Sequence, residues 1–152
     1  MQQDRFLTGI LIGIVLLVLV ALGAFFWRQH APPPFAEDSP QGVVLRFMQA
    51  VDEHRYRDAY DLLAQDEDTP SYSDFRRAMM YQADALDEVS VEIGESEIHG
   101  DEAWVQLWVS WISAAPFAEP SRNAGQALLE RRDGNWRIVE MPYPYGMWKY
   151  PD

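Results

Sequence analysis

Few residues of this chain have types and spacings that suit acid–base chemistry. Three histidines occur: His30, His54 and His99. We expect all three to be solvated, because one precedes a proline run, one stands near a predicted helix end and one adjoins a Gly-Asp turn. No pair of carboxylates has a spacing that requires a general acid and a general base. The chain has no cysteine, which excludes a thiolate nucleophile, a thiolate metal site and a disulfide scaffold.

The acidic run Asp66-Glu67-Asp68 is the one candidate for a calcium site. A calcium loop has alternating oxygen ligands, a central glycine and a terminal glutamate, and this run lacks that pattern. A solvated loop is therefore predicted. The sequence contains no phosphate-binding glycine loop and no nucleophile elbow either. We expect no metal, no cofactor and no enzymatic activity.

The residues best suited to binding are aromatic, and two of them lie on a long predicted strand, AWVQLWVSWIS. Alternation places an apolar set on one face, which suits the core: Ala103, Val105, Leu107, Val109 and Trp111. The opposite face then presents Trp104 and Trp108, a pattern that predicts an exposed partner-binding patch. Two alternatives stay open: these tryptophans line an internal cavity, or the C-terminal tail covers them.

The tail, residues 142–152, carries a large aromatic load in PYPYGMWKYPD. Pro142 and Pro144 prevent it from continuing a strand ladder. Tyr145 and Trp148 are therefore candidate partner-binding residues. The alternative is that the tail folds back as a lid over its own domain.

The N-terminal residues 1–28 are predicted to form a single transmembrane anchor. The 22 residues Phe6–Trp27 carry no charge, and a helix of that length reaches about 33 Å, enough for a bilayer core of about 30 Å. The alternative, a cleaved signal peptide, typically has a shorter apolar core. Gly9 and Gly13 form a small-xxx-small pair that would let a second membrane helix approach closely.

The segment that follows, residues 29–39, is predicted to form a stalk because Pro32–Pro34 favour an extended conformation. The chain carries a formal charge of −12, which excludes a general nucleic-acid binder. A short tail before the anchor and a large acidic domain behind it favour one orientation in the cell membrane, with the C-terminal domain extracytoplasmic. Membrane lipid is thus one expected partner.

The body is predicted to be α+β, with about three helices followed by an antiparallel sheet of about four strands. The first helix begins at Ser39-Pro40, the second covers RDAYDLLAQ, and the third is opened by Ser71 with Asp74. Strand signals then follow: VSVEI, AWVQLWVSWIS, QALLERR and NWRIVEM. Helices followed by a consecutive meander are typical of helices packed on one sheet face.

The body resembles the NTF2-like superfamily, in particular small membrane-anchored bacterial members of uncharacterised families. The resemblance covers residues 40–141 and rests on SPQGVVLRFMQAVDEHRYRDAYDLLA and GNWRIVEMP. It implies a curved sheet that cradles the helices, often around a cone-shaped cavity. Candidate cavity residues are Tyr60, Met79 and Tyr81.

Together these patterns predict a membrane-anchored, non-catalytic protein-binding or assembly module. Its partner would be another protein, as in an accessory subunit of a membrane complex, or a second copy of the chain. The alternative is a small-ligand binder or a cavity enzyme of the isomerase or cyclase type.

Overall fold

The computed structural model of the protein describes residues 10, 12–22, 34–111 and 121–149. The chain divides into two compact units, Met1–Pro34 and Phe35–Asp152. In the first unit, residues 12–22 are helical and are labelled α1; Gly13 lies within it. Among the residues with a described position, no helix is both long and apolar enough to cross a bilayer. Gly9 and residues 29–33 of the predicted stalk lie outside the described residues.

The second unit begins with four helices, two of which have the side-chain caps that the sequence predicts. The helices are α2 (Pro40–Asp52), α3 (Tyr56–Tyr60), α4 (Tyr72–Tyr81) and α5 (Ala83–Asp87). Ser39 Oγ accepts a hydrogen bond from the Gly42 amide at 3.0 Å, and Ser71 Oγ accepts one from the Asp74 amide at 3.3 Å. These caps satisfy amide donors that would otherwise lack partners inside the helix.

The predicted second helix is too long. It ends at Tyr60, and the next residues pair with the sheet edge: the Ala64 amide donates to the Ile138 carbonyl at 2.7 Å, and the Ile138 amide donates to the Leu62 carbonyl at 2.9 Å. This short parallel bridge satisfies backbone groups of the last strand. Tertiary pairing therefore overrides the local helical pattern here.

The sheet is an antiparallel meander in the order β1-β2-β3-β4. Its strands are β1 (Val89–His99), β2 (Glu102–Trp111), β3 (Ser121–Arg132) and β4 (Asn135–Glu140). At the last hairpin Asp133 and Gly134 both have positive φ, 51° and 81°. The predicted Asp-Gly turn requires this geometry, and it matches the twist of the flanking strands. The predicted α+β order of helices followed by a four-stranded sheet is confirmed for the described part of the chain.

The core lies between the helices and one face of the sheet. On β2 the buried set is Ala103, Val105, Leu107 and Val109, as predicted from alternation. The fifth predicted member, Trp111, is only half-buried, because it lies at the end of the strand and stacks on the exposed Tyr143 ring at 6.1 Å. From the helices the fully buried side chains include Val44, Phe47, Val51, Phe75 and Met79.

The C-terminal tail packs on this same core. Tyr145 and Trp148 are buried there beside Met141, which precedes the tail, and the described part of the tail ends in a 3-10 helix, Met147–Lys149. A Cβ added at Gly125 on β3 would meet Pro142 Cβ at 2.6 Å. The tail is therefore seated against the sheet at a position that only a glycine leaves free.

Candidate binding surface

The space between the sheet and the helices is filled by aromatic and aliphatic side chains. Phe75 lies at the centre, with ring centroids 6.4 Å from Phe47 and 6.3 Å from Trp148, and Phe47 lies 6.5 Å from Tyr145. Among the described residues, none of the buried side chains is charged. The space where the sequence resemblance implies a cone-shaped cavity is thus occupied by the protein's own side chains.

The three candidate cavity residues do not meet in one chamber. Met79 is fully buried in the core, whereas Tyr81 is 86% exposed on the outer surface of α4. Tyr60 is half-buried, and its hydroxyl donates to the Pro70 carbonyl at 2.8 Å. The prediction is wrong for Tyr81, because α4 turns this side chain away from the core. Met79 and Tyr60 contribute to packing.

Tyr145 and Trp148 are 4% and 3% exposed. Their predicted role as partner-binding residues is wrong, because the tail folds back and buries both in the domain's own core. The alternative, a lid over the domain, is confirmed. The Trp148 indole N–H has no hydrogen-bond partner among the described residues.

A hydrogen bond connects the tail to α2. The Tyr145 hydroxyl donates to Asp52 Oδ1 at 3.0 Å. Burial, reinforced by the nearby Asp52 carboxylate, raises the pKa of Tyr145 well above its ordinary value. Partial desolvation also raises the pKa of Asp52, although this residue is at the surface and the hydrogen bond from Tyr145 acts in the opposite direction.

Trp104 and Trp108 lie on the sheet face opposite the core, as predicted. Both side chains are half-buried. They bound a groove of about 330 Å³ whose other lining residues are Gly94, Glu95, Glu97, Gln106 and Gln126. We call this the outer-face groove. Two of the residues predicted to bind a partner therefore border one surface groove.

A guanidinium already lies over one of the two indoles. The Arg122 guanidinium carbon is 4.6 Å from the centre of the Trp108 ring. Its Nη2 is 2.8 Å from Glu92 Oε2, and Glu92 is the cross-strand partner of Trp108. An indole and a glutamate on neighbouring strands therefore hold one cation between them.

The second indole has the same kind of cross-strand partner. Glu97 on β1 pairs with Trp104 on β2. The His99 ring stands edge-on to Trp104 at 5.7 Å, and its Nε2 is 3.9 Å from Glu97 Oε2. Between the two tryptophans, the Gln106 amide donates to the Gly125 carbonyl at 2.9 Å, which fixes that side chain in the groove.

The glutamates and Arg122 were not among the predicted site residues. Their role depends on strand register and on the irregularity in β1 between Ile93 and Ser96. The Gly100-Asp101 turn between β1 and β2 is the sequence signal that could have indicated this register.

The acidic run and His54, which the sequence predicts to be solvated, form the following contacts. The acidic run has local loop contacts: Asp66 Oδ1 accepts from the Thr69 hydroxyl at 2.8 Å. His54 hydrogen-bonds Tyr56 through Nδ1 at 3.0 Å, and His30 lies outside the described residues. Within the described ranges there is no group of three or more side chains placed to hold a metal ion.

Comparison with known proteins identifies the fold. No family model matches the sequence, and no curated protein matches it either. A ketosteroid-isomerase-like protein from Shewanella frigidimarina has 19% identity and a TM-score of 0.50, over 67% of this chain and 92% of that one. The likeness shows an NTF2-like fold, as the sequence resemblance predicted.

Two further solved structures are similar at lower scores. A protein described as an NTF2-like transpeptidase from Campylobacter jejuni has 14% identity and a TM-score of 0.48, with 68% of this chain and 100% of that one covered. An NTF2-like protein of unknown function from Pseudomonas putida has 13% identity and a TM-score of 0.44, with 64% and 77% covered.

Proposed function

We propose that this chain is a single-pass membrane protein whose extracytoplasmic NTF2-like domain binds another protein through the outer-face groove. In this role it is a non-catalytic assembly module, for example an accessory subunit of a membrane complex. The observation that carries the proposal is the half-exposed pair Trp104 and Trp108 on the sheet face opposite the core. Aromatic side chains that keep part of their apolar surface in water are typical of contact sites.

The membrane anchor is supported by the sequence. The uncharged run Phe6–Trp27 is long enough to span a bilayer core. The acidic charge of the body suits a solvated domain that is held above the membrane rather than bound flat against anionic lipid.

The packed interior supports a non-catalytic role. A cavity enzyme needs an ionisable group next to bound substrate in a space that admits it. Here that space is occupied by Phe47, Phe75 and the tail residues Tyr145 and Trp148. A small-ligand binder or isomerase-type enzyme that used this space would require the tail to leave, and the core would lose Tyr145 and Trp148.

Site-directed photo-crosslinking in native membranes tests the proposal. A photoreactive residue replaces Gln126 in the groove, and a control replaces Met80, which is 55% exposed on α4. We expect a discrete crosslinked product from position 126 that is absent from position 80. The product should disappear in the double variant Trp104→Ser, Trp108→Ser.

Two results would contradict the proposal. One is the absence of any product specific to position 126, and the other is a product that the double serine variant leaves unchanged. A product whose mass is twice that of the chain would show that the partner is a second copy of this chain and not another protein.

A further inference from the structure

We infer that Trp104 and Glu97 form a receptor for an arginine side chain that the partner supplies. The inference rests on the proposed function, since it names the chemistry that the outer-face groove recognises. One tryptophan–glutamate arrangement occurs twice across β1 and β2, and one of its two copies holds a guanidinium from β3.

The two arrangements share strand positions. Trp104 and Trp108 lie four residues apart on β2, so their side chains point to the same face. Each has a glutamate of β1 directly opposite, Glu97 and Glu92 respectively. Because β1 has an extra residue between Ile93 and Ser96, Glu97 lies directly opposite Trp104.

The arrangements differ in the third strand. Arg122 pairs with Ser110, two residues beyond Trp108, and reaches back diagonally over the indole. The corresponding position for Trp104 is Gln126, which pairs with Gln106. A glutamine carries no charge. In the described part of the chain, no arginine or lysine lies over the Trp104 ring.

The lining of the groove favours a cation. Glu95 and Glu97 border it, and neither forms an ion pair with a lysine or arginine among the described residues. The face of an indole attracts cations through its quadrupole, and a carboxylate beside it adds a charge partner. The two together resemble the environment that Arg122 has at Trp108, with the difference that the exposed His99 ring stands edge-on to Trp104.

Arginine suits the groove better than lysine does. The guanidinium is planar and weakly hydrated, so it can stack on an indole and donate to a carboxylate at the same time. A second copy of this domain is a poor occupant, because its own outer face carries Glu92, Glu95 and Glu97 on a chain of formal charge −12.

The test is a titration of the full-length protein in non-ionic detergent with three short peptides. They are acetyl-Gly-Gly-X-Gly-Gly-amide, with arginine, lysine or citrulline at X. The readout is the NMR chemical shift of the Trp104 indole N–H, assigned by its loss in Trp104→Leu. We expect the arginine peptide to bind about tenfold more tightly than the uncharged citrulline peptide.

Variants separate the site from bulk electrostatics. Glu97→Gln should weaken arginine-peptide binding about tenfold, as measured on the same indole signal. Glu67→Gln removes an equal charge from the loop between α3 and α4 and should change the affinity less than twofold. Gln126→Arg should abolish binding, because it places an internal guanidinium where Arg122 stands relative to Trp108.

A gain-of-function variant keeps the test independent of any damage to the fold. Arg122→Ala should uncover Trp108 and Glu92 and add a second binding event, visible as a new shift of the Trp108 indole. The inference is overturned if arginine and citrulline peptides bind equally, if the lysine peptide binds as tightly as the arginine peptide, or if Gln126→Arg leaves binding unchanged.

Failure of this inference is distinguishable from failure of the proposed function. A Trp-dependent crosslink without preference for the arginine peptide would retain the protein-binding role and reject the arginine receptor. Arginine-specific binding without any crosslinked product would support the arginine receptor and contradict the proposal that the groove binds a protein in these membranes.

Discussion

Tyr145 shows how one residue ties the C-terminal tail to the helical layer. Its ring is buried against Phe47, and its hydroxyl donates to Asp52 at the end of α2. A buried phenol is stable only if its hydroxyl has a partner. The hydrogen bond therefore fixes the position of the tail in addition to the apolar contact.

Tyr145→Phe is expected to lower the free energy of unfolding by about 1 kcal/mol at pH 8, because it removes this hydrogen bond and keeps the ring. The raised pKa of Tyr145 means that above about pH 10 the unfolded chain releases the phenol proton first. The free energy of unfolding of the wild type therefore falls above that pH, whereas the variant has no such phenol to titrate. The difference in stability between the two proteins should shrink. Urea unfolding at pH 8 and above pH 10 measures both effects.

Tyr143→Phe is the matched control, because Tyr143 is 50% exposed on the same tail. It should leave the free energy of unfolding nearly unchanged. Equal stability of Tyr145→Phe and wild type at pH 8 would show that the hydrogen bond contributes nothing.

At the scale of elements, the tail serves as a packing layer. Its 3-10 helix, Met147–Lys149, contacts α4, and the Trp148 ring lies against Phe75. Pro142 rests on Gly125 of β3. The tail thus packs against both the helices and the sheet.

Trp148→Ala should lower the free energy of unfolding by about 3–5 kcal/mol, the usual cost of removing a buried aromatic side chain. Tyr143→Ala, which removes a half-exposed ring stacked on Trp111 at 6.1 Å, should cost about 1 kcal/mol. Chemical denaturation of both variants measures the contrast. Similar costs would mean that the tail does not form part of the cooperative core.

At the scale of the whole molecule, composition separates an apolar N-terminal segment from an acidic body. The uncharged run Phe6–Trp27 contrasts with a chain whose formal charge is −12. The proposed membrane anchor and solvated domain rest on that distribution.

A topology experiment tests this arrangement. Because the chain has no cysteine, Gln29→Cys introduces a single thiol just behind the apolar run. We expect a membrane-impermeant maleimide to label it in intact cells and the labelled chain to keep its full mass of 17.5 kDa. Labelling only after lysis would reverse the orientation, and a shortened chain would indicate a cleaved signal peptide.

Local patterns in the sequence predicted most of the fold. Alternation along β2 placed Val105 and Leu107 on the core side, and the Asp133-Gly134 pair predicted the last hairpin. These predictions succeed because side-chain direction has a fixed period in a strand and because positive φ favours particular residues. The prediction that the second helix continues beyond Tyr60 is wrong, because the backbone of Leu62 and Ala64 hydrogen-bonds to Ile138 of β4 instead.

The candidate site was only partly predictable. Trp104 and Trp108 could be placed on one face from their spacing alone. Their glutamate partners could not, because Glu92 and Glu97 are joined to them by pairing across the β1–β2 hairpin and by one irregularity in β1. Cross-strand contacts depend on register, which has no local signature in the sequence.

The sequence by itself determined the kinds of elements, their order and the faces of its strands, since these follow from backbone sterics and from the burial of apolar side chains. Only the tertiary structure decided that Tyr145 and Trp148 belong to the core and that Arg122 covers Trp108. Both results arise from contacts between residues distant in the chain, such as the bond between Tyr145 and Asp52. Such contacts are selected by how the whole domain packs, and no spacing within a segment specifies them.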